Sequence, residues 1–286
     1  MLKRLRYRLR HNSLDVIYSK RFIVPRIRNM APIQITDSSI DYHVLVSRKD
    51  FGAMLWSVMS FYRVSSIKPK LFVHADPTVT RSQVSLLESC FPGVTLLPHE
   101  RAAEMANNLL ADYPLCRTAR HRGLMARKFF DCLLFGSAEE RILADSDVLF
   151  FQDPREITRQ HEGMNTFLED HWSSYLIPRS ELQQRTGIEI PERINAGFGR
   201  LNIYFATLGD IESTIERLPE LQNGQFGFDQ LLLAILCTKS GLVRVGGEYR
   251  MLPRKEEEAI LIHYTSVIRH KMYTDGIPFL AKRYGL

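Results

Sequence analysis

The stretch Arg141-Ile142-Leu143-Ala144-Asp145-Ser146-Asp147-Val148-Leu149-Phe150-Phe151 decides how this chain is read. Ile142 to Ala144 reads as a short apolar strand that runs into two aspartates one residue apart. A second apolar run, Val148 to Phe151, follows at once, so the backbone on both sides is expected to be buried. A buried carboxylate is costly unless it is paired or binds a metal. In an extended chain, residues i and i+2 share a face, about 6.6 Å apart along the strand. A turn at Ser146 brings the two carboxylates closer, so that both reach one hard divalent ion or its water shell. The bland alternative is a pair of solvated turn residues or helix caps, since Asp-x-Asp is a common tripeptide. The rest of the chain has to decide.

The chain has 286 residues, 45% of them hydrophobic and 24% charged, which is ordinary for a globular protein. That length supports a substantial core without a metal or disulfide staple. Cys90, Cys116, Cys132 and Cys237 are widely spaced and form no CxxC pair. They read as reduced thiols of a cytosolic protein. The net charge of +6 is uneven. Residues 1–30 hold nine Lys/Arg and one acid, a charge of +8, whereas residues 31–286 hold 29 Lys/Arg and 31 acids. The basicity belongs to a terminal arm and not to the body, which argues against a nucleic-acid binder. In that arm Leu2, Leu5 and Leu9 lie at helical spacing with Lys3, Arg4, Arg6, Arg8 and Arg10 between them. This is a short basic amphipathic helix, suited to an anionic membrane surface. A solvated arm, or a helix packed on the domain or an acidic partner, is the alternative. No apolar h-region follows the basic start, so no signal peptide is expected. The longest apolar run, Leu231 to Cys237, is too short to span a bilayer.

Strand and helix alternate along the first half. Asp41–Asp50 reads as a strand with polar residues at its end, Phe51–Val64 as an apolar helix, and Lys70–Asp76 as a second strand. Thr80–Cys90 is a helix with Thr80 as N-cap, and Val94–Leu97 is a third strand. This pattern predicts a parallel α/β sheet with right-handed crossovers. Ligands of such sheets bind at the carboxyl ends of the strands, where Ser47, Arg48, Asp76 and His99 fall. Residues 100–120 are helical with a loop at Tyr113-Pro114. Arg122–Phe135 is a helix with Met125, Phe129, Cys132 and Leu133 on one face and Arg127 and Lys128 beside it. Further on, His171–Ile177 reads as a strand. Asn195-Ala196-Gly197-Phe198-Gly199 reads as a break before the apolar run Leu201–Ala206. Ile211–Leu218 and Leu231–Cys237 are helical, Ile260–Tyr264 is a late strand, and Arg269–Leu286 is a basic, aromatic tail. No repeat or low-complexity linker divides the chain. It is expected to be an arm, residues 1–30, followed by one continuous domain, residues 31–286.

Taken in order, the Rossmann-like first half, the buried Asp-x-Asp, Asn195 to Gly199, Asp229-Gln230 before a helix and the late Ile262-His263-Tyr264 resemble the nucleotide-sugar glycosyltransferases of the GT-A fold. The closest likeness is to retaining enzymes of the glycogenin and bacterial galactosyltransferase type, over about residues 41–275. The resemblance implies a mainly parallel central sheet flanked by helices, with a nucleotide half at about 41–151 and a sugar and acceptor half at about 152–286. It implies that Asp145, Asp147 and His263 ligate Mn²⁺ or Mg²⁺, and that Ser146 lies near the ribose. Asn195 and Gly197 would border the donor sugar and the acceptor, and Asp229 and Gln230 would lie near the transferred sugar. Arg127 and Lys128 would contact the diphosphate or donor sugar, since a cation beside leaving-group oxygens stabilises them. Structural alternatives stand beside each: a core histidine for His263, an ordinary turn for Asn195–Gly199, a helix cap for Asp229, and a solvated helix edge for Arg127 and Lys128. The family's His-x-x-Gly-x-x-Lys-Pro-Trp ending is not matched, although Arg269, His270 and Lys271 are placed to close over a diphosphate. An inverting reaction needs a carboxylate base, for which Asp170 and Asp229 are the candidates.

The function so implied is metal-dependent transfer of a sugar from a nucleoside-diphosphate sugar, UDP-linked by preference. The acceptor would be a glycan or lipid-linked molecule in cell-surface polysaccharide synthesis, at the inner face of the cell membrane. A nucleotidyltransferase that builds the sugar nucleotide ranks lower, because Val46 to Gly52 offers a single glycine where those enzymes carry a Gly-rich loop. A binding protein without catalysis is the non-enzymatic alternative.

Overall fold

The computed structural model describes residues 9–35, 39–160, 164–171, 175–250 and 256–286. Strands β1 (Ile40–Val46), β2 (Lys70–Ala75), β3 (Thr95–Pro98) and β4 (Glu140–Ala144) lie in the order β3-β2-β1-β4, and every neighbouring pair is parallel. The helices between them begin where local chemistry starts them. Thr80 makes a full capping box with Gln83 at the head of the helix Arg81–Cys90. The helix Phe51–Val64 is apolar almost all round and is buried almost all round, as such a composition requires.

Strand β5 (Val148–Phe150) leaves this sheet and pairs with β10 (Leu261–His263), which in turn pairs with β9 (Tyr249–Arg250). The main sheet continues past β4 through β7 (Asn195–Asn202), β6 (Asn165–Leu168) and β8 (Leu242–Val245). β7 runs antiparallel to both β4 and β6, while β6 and β8 are parallel. The sheet is therefore mainly parallel, as the alternation predicted. One apolar cluster gathers the helix Phe51–Val64, β5, β10 and the C-terminal segment. A second gathers the helices Leu124–Leu134 and Phe228–Ser240. The chain order reverses between β1 and β4, and such a switch point opens a crevice at the carboxyl ends of the strands.

Several expectations are corrected. β1 stops at Val46, and residues 47–50 turn into the next helix. The helix predicted over 122–135 is broken at Gly123, between Pro114–Arg122 and Leu124–Leu134. A Cβ at Gly123 would lie 1.8 Å from the Gly224 carbonyl oxygen, so the close approach of those two backbones sets the break. His171 and residues 175–177 are not strand; the strand is Asn165–Leu168, which finds its parallel partner only in β8. Asn195 to Gly199 does not interrupt a strand but lies within β7. Neither Gly197 nor Gly199 has a positive φ. They are needed for packing, because a Cβ would meet the His263 ring at 2.1 Å and the Phe167 ring at 2.1 Å. The helix predicted through Leu2, Leu5 and Leu9 falls mostly outside the described residues.

What is described of the arm lies against the body. Ser13 caps the short helix Leu14–Tyr18, and the chain winds on through Ile23 and Asn29. Val16 and Ile27 are buried in the first cluster. Trp56 Nε1 donates to the Val24 carbonyl at 3.0 Å. All four cysteines are free and buried, as expected. Among the described residues no helix is long and apolar enough to cross a membrane.

Candidate functional site

Asp145 and Asp147 sit on the turn that links β4 to β5, with Ser146 at its tip. Tertiary structure adds the third group. His263 pairs with Val148 across the antiparallel β5–β10 ladder, and Tyr264 N–H donates to the Asp147 carbonyl at 2.8 Å. His263 Nε2 therefore lies 3.3 Å from Asp147 Oδ1 and 3.6 Å from Asp145 Oδ2. One ligand atom from each residue falls within 4.8 Å of the others. Asp147 and His263 are 3% and 5% exposed. Two carboxylates and one imidazole, with Asp147 and His263 buried and Asp145 half-buried, fit a divalent cation.

Two basic groups flank the trio. Lys128 comes from the helix Leu124–Leu134 and is 5% exposed. Its Nζ lies 2.7 Å from Asp145 Oδ1 and 2.8 Å from Asp229 Oδ2, and donates to the Ala196 carbonyl at 3.0 Å. Burial opposes its charge, but the two carboxylates outweigh burial and hold the ammonium protonated, its pKa raised. On the other side Arg269 donates from Nε and Nη2 to Asp147 Oδ2 at 3.0 and 2.5 Å, and from Nη1 to Asp50 Oδ1 at 3.1 Å. Burial would push the Asp147 carboxyl up; His263 and Arg269 overcome it and hold it well below the usual carboxylate range. For His263, burial disfavours the imidazolium, but Asp147 and Asp145 prevail and raise its pKa.

These groups floor a cavity of about 540 Å³, within the range of small-molecule sites. Of the residues singled out from sequence, Ser47, Asp76, Lys128, Asp145, Ser146, Asp147, Asp170, Asn195, Gly197, Asp229, Gln230 and His263 all line it. Arg48, Arg127 and Lys271 do not. Arg48 is exposed, with its N–H on Thr78 Oγ1. Arg127 is one position from Lys128 and so turned about 100° away on the helix; it lies among Asp131, Arg120 and Asp76. Asp170 is held by amide donors: Oδ2 accepts from Asn195 Nδ2 and Gln230 Nε2, each at 3.2 Å, and Oδ1 from His171 N–H at 2.7 Å. Asp229 is bound to Lys128 and is not the helix cap, a place that Gly227 holds.

Sequence reasoning passed over Asp50 and named Arg269 only together with His270 and Lys271; of those three only Arg269 lines the cavity. The signal was there: the lysine of His-x-x-Gly-x-x-Lys comes six residues after the histidine, and the sixth residue after His263 is Arg269. Leu124, Phe226 and Val267 form an exposed apolar part of the cavity lining.

No protein-family model matches the chain, and no curated protein does. Solved structures do. The galactosyltransferase LgtC, in complex with donor and acceptor sugar analogs, superposes with a TM-score of 0.54 at 13% identity, over 86% of this chain and 94% of that one. The apo form of mouse xyloside xylosyltransferase 1 gives 0.51 at 11% identity, over 81% and 98%. The apo bifunctional glycosyltransferase WbbM gives 0.53 at 15% identity, over 90% of this chain and 53% of that one. The chain has the GT-A fold that these structures share.

Proposed function

We propose that this GT-A-fold chain is a metal-dependent glycosyltransferase that moves a sugar from a nucleoside-diphosphate sugar, UDP-linked by preference, to a glycan or lipid-linked acceptor in cell-surface polysaccharide synthesis. The observation that carries the reading is the buried meeting of Asp145, Asp147 and His263 at the switch point of the sheet, on the floor of a cavity of nucleotide-sugar size. Asp145, Asp147 and His263 would hold Mn²⁺ or Mg²⁺. When bound there, the ion supplies Lewis-acid stabilisation of the charge left on the departing nucleoside diphosphate. Arg269 is placed to add a fixed positive charge to the same oxygens. Lys128 bridges Asp145 and Asp229 and holds the two carboxylates in place. Asp229 and Gln230 line the same cavity and are assigned to the transferred sugar. Asp170, clasped by Asn195, Gln230 and the His171 N–H, is assigned to orienting those amides.

The reading places the enzyme at an anionic membrane surface, held by residues 1–30. Support comes from the described part of the arm. The arm buries Val16 and Ile27 but leaves Leu14 84% exposed and Ile17, Tyr18 and Phe22 about half exposed. Exposed Arg10, Lys20, Arg21, Arg26 and Arg28 surround that apolar face, the combination that binds acidic lipid. His11 approaches the Ser266 carbonyl at 3.1 Å, next to cavity-lining Val267, so the arm adjoins the rim of the site.

A thermal-shift screen of UDP-, GDP-, CMP- and dTDP-sugars with and without Mn²⁺ tests the function. One nucleotide at 100 times its dissociation constant adds about 2.7 kcal/mol. The gain should require Mn²⁺ and vanish in Asp147→Asn. Stabilisation by a nucleoside triphosphate with a sugar phosphate, followed by pyrophosphate release, would instead favour the nucleotidyltransferase. Mn²⁺-dependent binding without sugar release would favour a binding protein.

A further inference from the structure

The geometry points to Asn195 as the residue that decides which ring nitrogen of His263 faces Asp145 and Asp147, with Asp170 anchoring Asn195 in that role. The inference rests on the reading of the three residues as a cation site, and it concerns this chain's own side chains.

An asparagine amide can be turned either way, but here its neighbours settle the orientation. Gly197 N–H lies 2.8 Å from Asn195 Oδ1, and a backbone N–H only donates. The Asp170 carboxylate lies 3.2 Å from Asn195 Nδ2, and a carboxylate only accepts. Oδ1 is therefore the oxygen. The same Oδ1 lies 2.9 Å from His263 Nδ1. With an acceptor facing it, Nδ1 must carry the hydrogen. In the neutral ring Nε2 is then left with its lone pair, pointing at the two carboxylates. The opposite tautomer would set two lone pairs against each other in a buried site. A ligand histidine is commonly fixed in this way by a partner on its other nitrogen.

The rest of the tripeptide does the same kind of work. The Ala196 carbonyl accepts from Lys128, which holds Asp145 Oδ1. The Gly197 carbonyl accepts from the Asp145 N–H at 2.7 Å. The bare Cα of Gly197 lets the His263 ring lie against β7, where any Cβ would overlap Nδ1. Asp170 is itself steadied by Gln230, whose Nε2 also donates to the Ile194 carbonyl at 2.7 Å. Asn195, Asp170 and Gln230 are thus positioning residues that act on the cation site through His263.

The test uses the ¹⁵N-labelled full chain without metal or nucleotide. Long-range proton–nitrogen NMR at alkaline pH, where the ring is neutral, reports which nitrogen of His263 bears hydrogen. The wild type should show hydrogen on Nδ1; hydrogen on Nε2 overturns the inference whatever any variant does. Asn195→Leu should lose the preference and weaken Mn²⁺ binding about 10–100-fold. An Asn195→Leu chain that keeps hydrogen on Nδ1 and the wild-type Mn²⁺ affinity would also overturn it. A chain with Nδ1–H and intact Mn²⁺ binding that processes no nucleotide sugar would sink the proposed function and leave this inference standing.

Discussion

Arg269 grips Asp147 through two of its nitrogens, 3.0 and 2.5 Å from one carboxylate oxygen, across 122 positions of sequence. Its remaining nitrogen holds Asp50. The guanidinium thus ties the C-terminal segment to the β4–β5 turn and to the turn after β1, beside the proposed cation site. Arg269→Ala is expected to leave Mn²⁺ binding alone intact and to weaken UDP binding in the presence of Mn²⁺ by roughly tenfold to a hundredfold, the range of a lost charged hydrogen bond. Calorimetry of both ligands separates the two, and unchanged UDP affinity would remove Arg269 from the site.

Lys128 is the only cation in contact with both Asp145 and Asp229 among the described residues. Lys128→Met keeps the aliphatic stem and removes the charge, leaving two carboxylates in a buried place. Removing one partner of a buried ion pair destabilises by about 3–5 kcal/mol. Urea denaturation should show a loss of that order. A loss below about 1 kcal/mol would mean that water reaches Asp145 and Asp229 freely.

A second buried network predicts acid sensitivity. His43 and His74 lie side by side behind the sheet, with Nδ1 of one 2.9 Å from Nε2 of the other. Burial and, for both, nearby positive charge keep the rings neutral; His43 falls well below its ordinary value and His74 falls to about 3. For a base whose pKa is depressed by folding, the unfolded chain binds more protons below its own pKa of about 6.5. Stability is therefore full above that pH and falls as the pH drops below it. The slope of unfolding free energy between about pH 6 and 4 should fall by about one proton in His74→Gln. An unchanged slope would show that carboxylates alone govern the acid limb.

The exposed apolar face of the arm predicts lipid binding that depends on charge and on apolar contact together. Leu14→Ser with Phe22→Ser should abolish sedimentation with anionic vesicles while leaving the fold intact, because both side chains lie outside the core. Neutral vesicles should bind neither protein. Equal binding of variant and wild type would refute this face, and dimers that dissociate in the variant would assign it to a second copy of the chain.

Much of this was legible in the chain because it depends on local periodicity. The apolar runs around Asp145 and Asp147 and the Thr80 N-cap declare themselves within a few residues. The strand at Asn165–Leu168 did not, because it is short and becomes a strand by pairing with Leu242–Val245, 77 positions away. Asn195 to Gly199 misled for a related reason. Two glycines in five residues read as a turn, yet their bare Cα atoms serve neighbours, Phe167 and His263, that sequence cannot place beside them.

The sequence by itself determined the alternating α/β order and the pair of aspartates between two apolar runs. Only the tertiary structure decided that Lys128 and not Arg127, and Arg269 and not Lys271, turn into the cavity, and that His263 is presented to the carboxylates by Asn195. The physical reason is that a side chain's chemistry is local, whereas its direction is set by the rotation of its helix and the register of its strand against partners far along the chain.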